Sequence, residues 1–285
     1  MMKQNRMFLT WVLSLLSVAI ILAGCEKSSE EMYKKAMGLY QAGKYQQAVE
    51  IFEMLLTKYP DHSLSLKARY QLGNIYFYKL NNSEQALQYA QKLYAEASQG
   101  KYAINALQLM GTIYESSLNS CRDATEMYRL LLQDYEKDVD AGQYQMAIAD
   151  CYFKSREYAD AITEYSVVLD RYSTSRYVPR ARFRVANSYA LTDKHADAIA
   201  IYEDLLSTPK SLSLQFSADI KLELAFCYGQ QEEYARAVSL YEELEQLEDS
   251  TITLDTDLIT RKKERSLERL AESNRAPEEV DWKRK

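Results

Sequence analysis

The chain has 285 residues, of which only 8 are glycine and 4 are proline, and this argues against a β-sandwich or barrel built on glycine and proline turns. Hydrophobic residues make up 47% and charged residues 27%, which supplies enough apolar surface for a folded core. The net charge of −6 argues against a nucleic-acid partner, and two histidines with four cysteines leave little material for metal or nucleophile chemistry.

The N-terminal residues have the pattern of a secretion signal. Lys3 and Arg6 precede a largely apolar run over residues 7–23, which is shorter than the roughly 20 residues that a membrane-spanning helix needs. The run ends in Leu22-Ala23-Gly24-Cys25, which resembles the lipobox of bacterial lipoproteins. The resemblance implies that residues 1–24 are removed as a signal peptide and that Cys25 is lipidated. The alternative is an uncleaved anchor helix with a chance cysteine.

The lipobox resemblance also sets the expected location. A processed lipoprotein cysteine carries three acyl chains, and since each buried methylene contributes about 0.8 kcal/mol, membrane attachment should be stable. Glu26 follows the cysteine, whereas the usual inner-membrane retention signal of Gram-negative lipoproteins is aspartate. We therefore expect a lipid-anchored protein on the periplasmic side of the outer membrane if the bacterium has two membranes, with residues 25–29 as a short tether.

A pattern with a period of 37 to 39 residues fills residues 30–247. Spacings of three, four and seven place the recurring side chains on one face of a helix. Small residues let two helices approach closely. The small residues and their partners three positions later are Ala36/Leu39, Gly73/Tyr76, Gly111/Tyr114, Ala149/Tyr152, Ala186/Tyr189 and Ala225/Tyr228. The alanines of the second helix in each unit are Ala48, Ala86, Ala124, Ala161, Ala198 and Ala237.

These residues resemble tetratricopeptide repeats, which are helical hairpins with a usual period of 34 residues. The resemblance implies an all-α fold, a right-handed superhelical solenoid of about six tetratricopeptide-type hairpins with a C-terminal capping helix. The longer period and the ending Tyr59-Pro60-Asp61 are similar to the BamD/YbgF (CpoB) group of envelope proteins. Lipidated pilotins of type IV pili also stack about six such repeats.

The last repeat needs a cover for its apolar face. A weak helical stripe of leucine and isoleucine predicts a capping helix within residues 248–273, and residues 274–285 are expected to form a flexible tail. The stripe consists of Leu254, Leu258, Ile259, Leu267 and Leu270. The segment Arg261-Lys262-Lys263-Glu264-Arg265 is interpreted as the solvated face of this helix, with contact to an anionic group as the alternative.

The candidate site residues are those that repeat packing does not obviously require. In tetratricopeptide arrays the first helix of each hairpin lines the concave surface, and aromatic side chains there favour an apolar peptide or helix as partner, while asparagine can pair with an extended backbone. The predicted partner-binding residues are Tyr70, Asn74, Phe77, Tyr78, Phe153, Phe183, Asn187 and Phe226. The alternative is that they only pack between repeats. Lys67, Lys154 and Arg180 lie in the same groove without a visible cluster, so we expect modest salt dependence.

The sequence contains no motif for phosphate binding, zinc or an activated nucleophile, so we expect a protein that is not an enzyme and needs no metal or other cofactor. We predict a non-catalytic, lipid-anchored periplasmic scaffold that binds envelope proteins, as in BamD-like outer-membrane protein assembly. The alternatives are a pilotin-type lipoprotein for pilus or secretin assembly and a YbgF/CpoB-like coordinator of envelope synthesis. A lipoprotein hydrolase with an unrecognised site is the competing class.

Overall fold

A computed structural model describes residues 28–97, 99–207, 212–247 and 253–274. Within these residues all regular structure is helical, and no helix combines the length and hydropathy needed to cross a membrane. The signal peptide, Cys25 and the tail from residue 275 lie outside the described residues. The helices are α1 (28–41), α2 (Tyr45–Lys58), α3 (Ser63–Tyr78), α4 (Ser83–Glu96), α5 (Lys101–Ser116), α6 (Cys121–Asp134), α7 (Ala141–Lys154), α8 (Tyr158–Arg171), α9 (Val178–Ala190), α10 (His195–Ser207), α11 (Leu214–Gln230), α12 (Tyr234–Glu245) and α13 (Thr256–Ser273), with one 3-10 turn at Glu136–Asp138.

The chain divides into two compact units, each a stack of helical hairpins. The first unit, Met1–Val139, holds the hairpins α1/α2, α3/α4 and α5/α6. The second unit, Asp140–Lys285, holds α7/α8, α9/α10 and α11/α12, and α13 packs on α12. Helices that follow one another within a unit are in contact, and so are the first helices α3 with α5 and α9 with α11. The predicted all-α repeat fold with six hairpins is therefore confirmed.

The capping helix α13 spans Thr256–Ser273 and follows irregular residues 253–255. The segment predicted to contain it was 248–273, of which residues 248–252 lie outside the described residues. The Asp255 carboxylate accepts a hydrogen bond from the Leu258 N–H at 2.9 Å, which satisfies an otherwise unpaired donor and fixes the helix start. Ile259 is fully buried in the cluster formed by α11 and α12, so α13 covers the apolar end of the last hairpin.

The repeated small and apolar residues form the core of each hairpin. The small residues of the first helices and the alanines of the second helices are all buried. Phe52, Tyr165 and Tyr202, which follow those alanines by four residues, have no exposed surface. This burial of a large ring beside small residues recurs in every hairpin except the second, where Ala90 takes the position of the ring, and it lets the two helices approach while the space between them is filled.

Each hairpin turns through one residue in the left-handed backbone region. The residue at this position is glycine in the first hairpin and asparagine in the next two, which are the types that tolerate a positive φ best. The last three turns use other residues. The positions and their φ values are Gly43 (73°), Asn81 (50°), Asn119 (48°), Arg156 (63°), Asp193 (57°) and Glu232 (62°). The turn geometry therefore follows the repeat even where the residue type does not favour it.

Tyrosine hydroxyls link neighbouring hairpins in the first unit. The rings of Tyr76 and Tyr89 stack with their centroids 5.6 Å apart, and their hydroxyls donate to Glu53 Oε1 at 3.2 and 2.8 Å. Burial, followed by the adjacent Glu53 carboxylate, raises the pKa of both phenols above the ordinary value of 10.0. These tyrosines therefore remain neutral donors in the folded chain.

We expect the chain to lose stability as the pH rises above about 10. Burial also raises the pKa of Tyr165 and Tyr202, with Asp150 and Glu223 as the neighbouring carboxylates that add to the effect. A phenol whose pKa is higher in the folded than in the unfolded chain contributes its full stabilisation below the unfolded value, and this contribution is lost as the pH rises through the folded value. Ultraviolet absorbance should show the last tyrosines ionising together with the loss of helical circular dichroism. Ionisation of all 24 tyrosines with intact helices would contradict this expectation.

Candidate interaction surface

The predicted binding residues lie on the first helices of the hairpins, on α3 in the first unit and on α7, α9 and α11 in the second. Within each unit we call the side of these helices that carries them the first-helix face. Seven of the eight side chains are partly buried, whereas Tyr78 is 58% exposed. A partly buried side chain contacts other residues of the fold on one side. Its neighbours therefore determine which of its atoms a partner protein could contact.

In the first unit the four predicted residues of this face are aromatic or amide side chains without charge. The Tyr70 ring lies 6.5 Å from that of Tyr102, and the Asn74 amide donates to the Tyr70 carbonyl at 2.8 Å. The Phe77 and Tyr78 rings meet edge to face with their centroids 4.7 Å apart. The structure thus forms two pairs, Tyr70 with Asn74 and Phe77 with Tyr78. The second pair lies at the more exposed end of α3.

In the second unit two of the predicted residues have packing roles. The Asn187 Oδ1 accepts a hydrogen bond from the Tyr202 hydroxyl at 2.8 Å, so its acceptor is occupied within the hairpin. The Phe183 ring lies 5.8 Å from that of Tyr202 and 5.3 Å from that of Phe216 on the next hairpin. For Asn187 and Phe183 the structure therefore favours the alternative of packing between repeats, because their contacts lie inside the stack.

A cluster of charges around Phe153 was not visible in the sequence. The Asp150 carboxylate accepts from the Tyr165 hydroxyl at 2.5 Å and lies 3.5 Å from the Arg184 Nε and 4.0 Å from Arg180. The Arg184 guanidinium also lies over the Phe153 ring, 4.9 Å from its centroid. From the sequence, Arg180 was named with Lys67 and Lys154 but not with Arg184, and the spacing of four between Arg180 and Arg184 on one helix was the signal that could have found the pair. This part of the face is charged, which changes the chemistry expected of a partner.

The last predicted residue, Phe226, lies beside the capping helix. The Lys262 ammonium is 4.6 Å from the centroid of its ring, and the His195 ring is 6.2 Å away. Burial raises the pKa of the nearby Glu223 carboxyl, and the positive charge of Lys262 opposes this shift. Phe226 therefore belongs to a mixed aromatic and cationic surface that α11 and α13 build together.

Comparison with known proteins supports the repeat assignment. Residues 32–62 and 114–176 match models of the tetratricopeptide repeat. No curated protein sequence matches the chain.

Among solved structures, the chain is similar to PilW, described as a widely conserved type IV pilus biogenesis factor, with a TM-score of 0.54, 16% identity and coverage of 81% of this chain and 98% of PilW. It is similar to PilF of Pseudomonas aeruginosa, with a TM-score of 0.53, 16% identity and coverage of 84% of this chain and 100% of PilF. It is also similar to the apo form of RapI, with a TM-score of 0.54, 13% identity and coverage of 85% and 75%. At these identities the similarity shows a shared fold.

The hairpin stacks and the two matched segments define the class. The chain contains tetratricopeptide-type repeats, and repeats of this type form scaffolds for protein–protein interaction.

Proposed function

We propose that this protein is a non-catalytic, lipid-anchored scaffold of the bacterial envelope that binds partner proteins through its first-helix face. The observation that carries the proposal is the pair Phe77 and Tyr78, two aromatic rings in mutual contact of which Tyr78 is 58% exposed. Such a pair is a candidate anchor for a partner, because aromatic residues supply much of the binding energy at interfaces. Phe153, framed by Tyr158 and Arg184, supplies a second anchor in the second unit.

The proposed anchor is the lipid on Cys25, and the start of the fold supports a close attachment. Ser29 is fully buried, and its hydroxyl lies 3.2 Å from the His62 Nε2 at the start of α3. Ser29 follows Cys25 by four positions, which is about 14 Å of fully extended chain. The first hairpin would therefore be held against the membrane, and Glu26 supports the outer membrane as that membrane.

The anchor is tested on the mature N-terminus. We expect mass spectrometry to find a chain that begins at a lipidated Cys25, because the Leu22-Ala23-Gly24-Cys25 sequence fits the processing signal. Cys25→Ser should move the protein out of the membrane fraction, since the acyl chains supply the attachment. Recovery of an unmodified chain that starts at Met1, or membrane attachment unchanged in Cys25→Ser, would remove the proposed location.

Two assembly pathways are candidates for the scaffold. The first is outer-membrane protein assembly of the BamD type, which rests on the resemblance of the repeat period and of the ending Tyr59-Pro60-Asp61. The second is assembly of a pilus or secretin, which the similarity to PilW and PilF favours because it extends over 98% and 100% of those chains. The identity of a captured partner separates the two pathways.

Partner capture tests the binding face. We expect Phe77→Ala combined with Phe153→Ala to weaken partner binding by more than about 2 kcal/mol, because the substitutions remove both aromatic anchors. Met54→Ala is the matched control, since Met54 is 46% exposed but lies on the second helix α2. Photocrosslinking from position 77 in cells identifies the partner. If the double variant folds normally and keeps every partner at the affinity of the parent, the proposed face is wrong.

A further inference from the structure

The second unit contains an open cleft between its last hairpin and the capping helix. The cleft has a volume of about 500 Å³, which lies within the usual range for ligand sites. Phe226 forms an aromatic side of it, Tyr241 lines it while almost fully buried, and Gly229 leaves open space, because a Cβ added there would meet nothing within 4 Å. The remaining lining residues are Gln230, Glu232, Tyr234, Lys262, Arg265, Ser266 and Arg269.

The opposite wall of the cleft is cationic. Lys262, Arg265 and Arg269 are spaced by three and four residues, which places them on one side of α13. Arg265 forms no ion pair with another described residue. Arg269 forms an ion pair with Glu272 on its own helix, with 3.3 Å between the guanidinium nitrogen and the carboxylate oxygen, and both side chains are exposed. Lys262 lies over the Phe226 ring. The cleft therefore holds three positive charges against the single carboxylate of Glu232 at its lining.

Lys263, which follows Lys262 in the sequence, has a packing role on the same helix. Lys263 forms an ion pair with Glu245 of α12, and Thr260 donates to the other oxygen of that carboxylate at 2.9 Å. Glu245 thus fastens α13 to the last hairpin through residues outside the cleft. The charges of Arg265 and Arg269 are not used in this way, so attachment of the helix does not account for them.

We propose that this cleft binds an acidic peptide segment of a partner protein, with an apolar side chain placed against Phe226 and a neighbouring carboxylate held by Lys262 and Arg265. The proposal rests on the proposed scaffold function and names the chemistry that one end of its binding face recognises. An apolar side chain is required because Phe226 is aromatic, and a carboxylate is required because the cationic wall includes Arg265, which forms no ion pair with another described residue. A flat bilayer surface does not fit the concave cleft. Inorganic phosphate has no apolar group to pack against Phe226.

The test uses the full chain and a fluorescein-labelled peptide, Glu-Asp-Leu-Phe-Glu-Asp. We expect Lys262→Gln combined with Arg265→Gln to weaken binding at least tenfold, while Arg261→Gln, an exposed cation on the same helix outside the cleft, changes it less than twofold. Peptides with glutamine and asparagine for the acids, or with two serines for Leu-Phe, should each bind at least tenfold more weakly. Equal binding of the acidic peptide to parent and double variant would overturn the proposal.

A second variant separates the cleft from the general charge of α13. Gly229→Leu keeps every charge but projects a side chain into the cleft, and it should also weaken peptide binding at least fivefold without lowering the melting temperature. Peptide binding unaffected by Gly229→Leu would show a charged surface without a cleft and overturn the proposal. So would competition by phosphatidylglycerol vesicles or inorganic phosphate that exceeds competition by unlabelled peptide.

The remaining outcomes concern this chain's own acids and the wider function. Residues 278–281, Glu-Glu-Val-Asp, carry similar chemistry. If Glu278→Gln, Glu279→Gln and Asp281→Asn together tighten peptide binding more than tenfold, this segment is the occupant and the partner proposal is overturned. Phe77→Ala with Phe153→Ala could abolish partner capture while the cleft variants leave peptide binding unchanged. This result would refute the cleft proposal and support the scaffold function. The reverse pattern would refute only the first-helix anchors.

Discussion

Gly111→Ala is expected to lower the free energy of unfolding by about 2–3 kcal/mol, at the upper end of the usual cost of overpacking a core. A Cβ at this position would lie 2.4 Å from Tyr128 Cε1 and 3.0 Å from Cδ1 and Cζ of the same ring. The Tyr128 ring is 4% exposed, and its hydroxyl donates to Glu115 Oε2 at 2.9 Å. A shift of the ring would therefore disturb both its packing and this hydrogen bond. Urea denaturation of the full chain measures the loss.

Two other glycines provide graded controls for this substitution. In Gly73→Ala the new Cβ would meet Leu109 Cδ2 at 2.8 Å, the far end of a side chain that can change rotamer, so a smaller loss is expected. In Gly229→Ala nothing lies within 4 Å, and the better helix propensity of alanine should raise stability by up to about 1 kcal/mol. Equal effects of Gly111→Ala and Gly229→Ala would show that the close approach at Tyr128 is wrong.

The repeat made most of the fold predictable from the sequence. Small residues at 73, 111, 149, 186 and 225 and alanines on the facing helices recur with one period, and the same pattern in six copies leaves little freedom in how helices are assigned. The repeat could not define the first residue of α13, because Asp255 caps the helix through its side chain and no repeat marks that position. The left-handed backbone at Arg156 could not be predicted from the residue type, because it follows from the hairpin geometry.

The binding face was less predictable, because the neighbours of a half-buried side chain depend on tertiary packing. The sequence predicted both Asn187 and Phe153 as partner-binding residues, yet Asn187 is bound by Tyr202 whereas Phe153 contacts Arg184. The charges of Arg184 and Lys262 come from different helices and meet the face only in the folded chain. The expected modest salt dependence therefore stays a prediction for the first-unit face alone, and the second unit should respond to salt more strongly.

Tyr202→Ala is expected to cost about 3–5 kcal/mol of unfolding free energy, the range for removing a large buried aromatic side chain. Tyr202 has no exposed surface and packs in the cluster that joins α9, α10 and α11. Its removal leaves a cavity between two hairpins, and the Phe183 ring, 5.8 Å away, loses a packing partner. Thermal and urea unfolding should both register the loss.

Tyr202→Phe separates the hydroxyl from the ring. This substitution keeps the packing and removes the hydrogen bond to Asn187 Oδ1, so it should cost only about 1 kcal/mol. A double-mutant cycle with Asn187→Ala isolates the bond, and a coupling of about 1 kcal/mol is expected since the two side chains are in direct contact. Because Asn187 lies on the first-helix face, the same variants also show whether the bond orients the asparagine for a partner. If Tyr202→Phe weakens partner binding while Tyr202→Ala costs no more stability than Tyr202→Phe, then the tyrosine serves the binding face, and its assignment to the core is wrong.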